Sequence, residues 1–231
     1  MYWRRRIYRH LQLALASCSI YVAIYWVLES PNAMFKMSMA SAYAALALLA
    51  VCLMIGPCNV IRGRPNPIST DLRRDIGIWA ALIGVVHTVV GLQVHSPGKF
   101  WLYFVFPAEE RRVIPIRYDL IGVSNYSGLA ATVLLLTLLA LSNDFALRKL
   151  GLPRWKSIQR WNYLLFLLVA VHGAVYQWLE KRELAIVGIL ALLLSATGLV
   201  QFAGYRKRTT EYAQSKSQSE VPLTPTEKQQ S

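Results

Sequence analysis

Apolar residues run along this chain in blocks of membrane length, separated by short polar breaks. The first block is Leu11 to Leu28, closed by Glu29-Ser30-Pro31-Asn32. The second runs from about Ser38 to Gly56, where Pro57 is expected to end it. The third is Ile76 to about His95 and the fourth about Leu120 to Leu141. The fifth is about Trp161 to Leu179 and the sixth about Leu184 to Tyr205. Blocks of about 20 apolar residues cross a hydrocarbon core as helices. The pattern predicts an all-α polytopic membrane protein, a six-transmembrane-helix bundle.

The polar breaks complete the organisation. Residues 1–10 form a basic N-terminus with Arg4, Arg5, Arg6 and Arg9, and residues 11–205 form the six-helix domain. The segment from Cys58 to Asp75 reads as a loop, with Asp71 placed to cap the third helix. Residues 96–119 make the longest loop on the opposite side. Its Phe100-Trp101-Leu102-Tyr103-Phe104 run is too short to span and suits the interface, where amphipathic rings are favoured. Residues 142–160 read as a loop leading into the fifth span, and residues 206–231, with few apolar side chains, as a disordered cytoplasmic tail.

Composition changes this picture little. Of 231 residues, 55% are hydrophobic and 16% charged, too few polar residues for a second folded domain. A net charge of +13 would point to nucleic acid in a soluble protein. Here 18 of the 25 Lys and Arg residues fall on the side of the termini and 7 on the other. The positive-inside rule then puts both termini in the cytoplasm of a cell (inner or plasma) membrane. The partner of the basic loops is the lipid bilayer, not nucleic acid. Cys18, Cys52 and Cys58 form no CxxC pair. Leu15-Ala16-Ser17-Cys18 resembles a lipoprotein cleavage site, yet the apolar run continues to Leu28, so a retained span is expected. No glycine-rich nucleotide or flavin fingerprint is present.

Two histidines are the candidate chemistry. His87 and His172 each lie 11 residues beyond the point where their spans enter from the cytoplasmic side. At about 1.5 Å per residue, both sit roughly 16 Å deep, near the middle of the bilayer. An intramembrane imidazole is expensive without a partner and marks a functional site by default. Matched depth on two parallel helices suits two axial ligands of one haem. For either histidine alone, a hydrogen bond to a neighbouring hydroxyl or carbonyl explains it as well. Gly77, Gly84 and Gly91 recur every seven residues on one face, and Gly173 follows His172. Such a stripe admits a flat macrocycle or close helix packing equally well. His95 lies further out, at the interface, and His10 belongs to the basic N-terminus.

Arg73-Arg74-Asp75-Ile76-Gly77-Ile78-Trp79 followed by His87 carries a resemblance, as does Leu150-Gly151 with Arg154-Trp155-Lys156 leading through Tyr163 to His172. Over roughly Ser38 to Gln201 the chain resembles the ferric reductase-like transmembrane domain family. Within it, the chain is most similar to haem-binding membrane subunits of bacterial periplasmic methionine sulfoxide reductase systems. The resemblance implies six helices around b-type haem, held by His87 and His172. It also implies electron transfer from a cytoplasmic donor, a flavin reductase or quinol, to an extracytoplasmic redox protein or metal ion. The chain departs from the family at Gln159, where relatives carry a histidine 13 residues before the later ligand. Glutamine is a poor haem ligand, so the expectation is one haem b per chain. Arg73, Arg74, Arg154 and Arg160 stand at the cytoplasmic mouth. They suit haem propionates, the phosphate of FMN, an acidic donor protein or lipid headgroups, and a quinone is a further candidate there. Electrons must come from a partner, because no hydride-accepting domain is recognisable. The alternative is a haem-less, divergent member acting as a membrane scaffold or assembly factor, for which Gln159 is the supporting residue. A small-solute transporter has less support, since the histidine spans hold no buried acid.

Overall fold

The computed structural model describes residues 2–64 and 70–219. Its long helices are α1 (Tyr2–Val27), α2 (Ala33–Ile61), α3 (Thr70–Gly91), α4 (Leu120–Ala140), α7 (Asn162–Leu179) and α8 (Leu184–Ser219). Two short ones, α5 (Asp144–Leu150) and α6 (Leu152–Gln159), precede α7. Six helical stretches among the described residues are long and apolar enough to cross a membrane. The protein is an all-α polytopic bundle.

The helix α2 is the axis. It is apolar on all sides, as a helix buried among others must be, and it packs against α1, α3 and α8. Leu49 and Leu53 of α2 meet Ile76 and Ala80 of α3, Ala131 and Leu138 of α4, and Leu165 of α7 in the main core. Outward faces stay apolar: Leu11, Leu15 and Val22 on α1, Val133 on α4, and Leu192 and Leu199 on α8 are exposed. That surface matches lipid, where it costs nothing. The start of α3, the end of α2 and the outer part of α8 meet at one end of the bundle, together with Arg6 and Arg9 of α1. We call this the basic end.

Several boundaries differ from those the sequence suggests. Pro57 does not end the second span; it lies inside α2, which continues to Ile61. Proline removes the amide that would bond the carbonyl four residues back. Gln201 of α8 replaces it, its Nε2 donating to the Leu53 carbonyl at 2.9 Å. Gly204 permits this approach, since a Cβ there would sit 2.7 Å from the Pro57 Cβ. The third span ends at Gly91, short of His95. Tyr103 closes the chain there, its hydroxyl donating to the Gly91 carbonyl and accepting from the His95 amide, each at 3.0 Å.

The segment 142–160 is two helices, not a loop. Asn143 caps α5 by accepting from the Ala146 amide, Gly151 breaks the chain at φ +73°, and Pro153 opens α6. At the ends, α1 already starts at Tyr2 and α8 continues past Tyr205 to Ser219. Residues 206–219 are therefore helical rather than a disordered tail. Extending a formed helix through Arg, Lys, Glu, Ala and Gln needs no new nucleus. The rest of the expected tail, 220–231, lies outside the described residues.

Asp71 lies in the first turn of α3, 3.8 Å from Arg74, instead of capping it. Asp75, placed in a loop by the sequence, is fully buried in α3. It is paired with Arg6 at 3.4 Å and Arg9 at 3.3 Å, with His10 3.6 Å away. This knot ties α1, otherwise peripheral, to the bundle. At the opposite end, a short antiparallel pairing joins Phe104 to Arg117 and Phe106 to Pro115. Asn125 and Tyr126 of α4 pin it by donating to the Tyr103 and Phe104 carbonyls.

Candidate functional site

His87 of α3 and His172 of α7 face each other inside the bundle, their ring centres 6.1 Å apart. Their helices start at different levels, so His87 is the eighteenth residue of α3 and His172 the eleventh of α7. The rings nonetheless meet, because α3 extends further beyond the core at the basic end.

Each imidazole is held in the same way. Nδ1 of His87 lies 3.0 Å from the Ser38 carbonyl of α2, and Nδ1 of His172 lies 2.9 Å from the Ser124 carbonyl of α4. A carbonyl only accepts, so each Nδ1 carries the proton and each Nε2 keeps a free lone pair. The serine hydroxyls reinforce the frame. Ser41 donates to the Ser38 carbonyl and Ser127 to the Ser124 carbonyl, at 2.9 and 2.8 Å. Ser124 also donates to the carbonyl of His172 at 3.0 Å. Two Ser-x-x-Ser segments thus orient two histidines. Gly128 completes the second frame, since a Cβ there would sit 2.7 Å from the His172 Nδ1.

Such a pair is pre-set to ligate a metal through Nε2, with the other nitrogen fixed by a hydrogen bond. Two imidazoles sharing one iron through Nε2, with iron–nitrogen bonds of about 2 Å, would have ring centres on the order of 6 Å apart. The observed separation matches. The rings open into a cavity of about 450 Å³, within the range of cofactor sites. Gly84, Gly91, Gly128 and Gly173 line it. The glycine stripe both packs helices closely and borders the cavity. Gly84 admits Leu135 and Gly77 faces Cys52, while Gly84 and Gly91 also border the cavity.

The far end of this cavity is polar. Tyr43, Asn125, Tyr176, Gln177, Glu180 and Arg182 gather there, with His95 stacked on Tyr176. Gln177 donates to the Tyr43 hydroxyl and Tyr176 to Asn125, both at 2.6 Å. Arg182 pairs with Glu180 and lies over the Phe35 ring. Burial, and then the neighbouring Arg182 charge, push His95 below the ordinary histidine range.

A second cavity of about 360 Å³ opens at the basic end. It abuts the first, since Leu49, Ala80, Leu135 and Leu165 border both. Arg73, Arg74 and Arg160 line it, joined by Lys156 and Arg208, which the sequence did not single out. Arg154, expected beside them, is exposed and borders neither cavity. Arg74 spends its guanidinium on Asp144, holding that carboxyl below the usual aspartate range. Arg73 donates from Nε to the Cys52 carbonyl at 3.2 Å. Gln159 lies in this cavity, accepting from Asn162 at 3.2 Å. The four predicted arginines therefore do not border the histidine cavity, whose arginine is Arg182.

Ser38, Ser124, Gly128 and Arg182 were missed by sequence reasoning. The repeated Ser-x-x-Ser before each histidine helix was a usable signal; nothing local marks Gly128 or Arg182.

Two facing, pre-oriented imidazoles inside a six-helix bundle define the class: a polytopic membrane protein with a histidine-lined cavity at its centre. No family model matches the chain. It is 31% identical over 159 residues to the protein-methionine-sulfoxide reductase heme-binding subunit MsrQ of Deinococcus radiodurans, covering 68% of this chain and 69% of that protein. The chain belongs to the family of these MsrQ subunits.

Proposed function

We propose that this protein is the haem-binding membrane subunit of a methionine sulfoxide reductase system, with one haem b held by His87 and His172. The observation that carries the reading is the pair of imidazoles 6.1 Å apart, each with Nδ1 on a serine carbonyl and Nε2 free. The bound haem supplies reversible one-electron chemistry. The serine frames hold the ligands in one tautomer, and the apolar walls keep water from the iron site.

The basic end is the cytoplasmic end, by the excess of Lys and Arg there. Its cavity receives electrons from a quinol or from a flavin-bearing reductase. Arg73 and Arg160 attract the anionic head of the donor, or an FMN phosphate. The opposite face, built by residues 96–119, presents the acceptor site for an extracytoplasmic redox protein, the methionine sulfoxide reductase partner, with a metal ion as a simpler acceptor. Gln159 leaves the basic-end cavity without an imidazole among the described residues lining it. This supports one haem per chain.

The test is a dithionite-reduced minus oxidised visible spectrum of the detergent-purified chain, with haem quantified. One low-spin b-type haem per chain is the expected result. A chain expressed with ample haem supply that binds none overturns the proposal and favours the scaffold reading.

A further inference from the structure

The histidine cavity has two unlike poles. Toward the basic end its walls are Leu49, Ala80, Ala131, Leu135 and Leu165. Toward the opposite end they include Arg182, the one arginine or lysine bordering this cavity among the described residues. Haem b is likewise two-sided, with two propionate carboxylates on one edge and methyl and vinyl groups on the other. Burying a carboxylate against the leucine pole leaves an unpaired charge in an apolar wall, which is strongly unfavourable. Docking the same edge at the other pole gives it a guanidinium.

Arg182 is prepared for this role. Its side chain is only 16% exposed, its head rests 4.1 Å over the Phe35 ring, and its acidic partner is Glu180. Lys181 takes the left-handed region at φ +46°, turning the chain so that Arg182 points back toward the bundle while α7 gives way to α8. A bidentate guanidinium matches carboxylate geometry better than an ammonium does.

Resting on the haem reading above, we propose that Arg182 is the propionate anchor of this protein. The carboxylate edge of the haem then faces the end opposite the basic cavity, and Glu180 is the carboxylate that competes for the same guanidinium. The arginines at the basic end have no part in holding the haem.

The experiment is haem loss from the detergent-purified full chain to excess apomyoglobin, followed in the visible spectrum. Arg182→Gln should lose haem roughly tenfold faster, the effect of one charge-assisted hydrogen bond. Arg182→Lys should fall between the two, and Glu180→Gln should lose haem no faster than the unaltered chain. After reconstitution with haem dimethyl ester, whose propionates are neutral, the unaltered chain and the Arg182→Gln variant should lose it at the same rate. Equal rates of haem b loss from Arg182→Gln and the unaltered chain overturn the inference. So does a faster rate in Arg160→Gln alone, which would turn the propionates to the basic end. Absence of haem from the unaltered chain overturns the functional reading instead, so the two failures are distinguishable.

Discussion

The two cavities share four wall residues and little else. The histidine cavity has most of its polar side chains paired within the bundle: each imidazole has a carbonyl, Tyr43 has Gln177, and Tyr176 has Asn125, while Gln177 Oε1 lies buried without a hydrogen-bond partner. The basic-end cavity gathers five cationic side chains among the described residues, and Arg160 and Arg208 of these are exposed. A buried polar group must be paired by the protein itself, whereas a cation at a mouth can be left to water or an arriving anion. The first arrangement suits a resident cofactor and the second a transient visitor.

Removing a ligand is the strongest way to break that contrast. His172→Ala should abolish the bound-haem spectrum, and a variant that keeps a full complement of haem would refute the ligand assignment. Next comes Gly128→Val. Its new side chain would push on the His172 ring, where even a Cβ meets Nδ1 at 2.7 Å. Haem occupancy should fall about tenfold or more, in line with the cost of overpacking. Gly188→Ala, with nothing within 4 Å of the new Cβ, should leave occupancy unchanged.

The double variant Arg73→Gln/Arg160→Gln sharpens the comparison from the other side. Stopped-flow reduction by a reduced flavin donor should slow roughly tenfold and lose much of its salt dependence, with the haem spectrum preserved. An altered spectrum with an unaltered rate would reverse the roles of the two cavities.

The smallest effect is on pH dependence. Hydrogen bonding from Arg74 depresses the Asp144 pKa, so its contribution to stability is complete above the unfolded-state value. It is lost as pH falls below the ordinary aspartate value of about 4 and through the folded one. The fluorescence of Trp155, which borders the basic-end cavity together with Arg74, should report a transition in that pH range that Asp144→Asn removes.

Hydropathy located all six spans, because in lipid each backbone group must be satisfied within its own helix. It could not place helix ends. Pro57 looked like a stop, since the side-chain amide of Gln201 that rescues the Leu53 carbonyl comes from 148 residues away. The expected tail began at Arg206, where hydropathy ends but helix propensity does not. The histidine pair was legible from depth along the chain. Its frame was half legible, in Ser38–Ser41 and Ser124–Ser127, but only packing shows that these carbonyls meet the rings.

The sequence by itself determined the all-α class, the six spans, the family and the two central histidines. All of these follow from local hydropathy, spacing and motif. Tertiary structure alone decided that the imidazoles face each other and that Gly128 makes room for one of them. It also separated Arg73 and Arg160 from the histidine cavity and brought Arg182 to it. Those outcomes depend on which helices touch and at what level, and contact between distant segments is set by packing across the bundle.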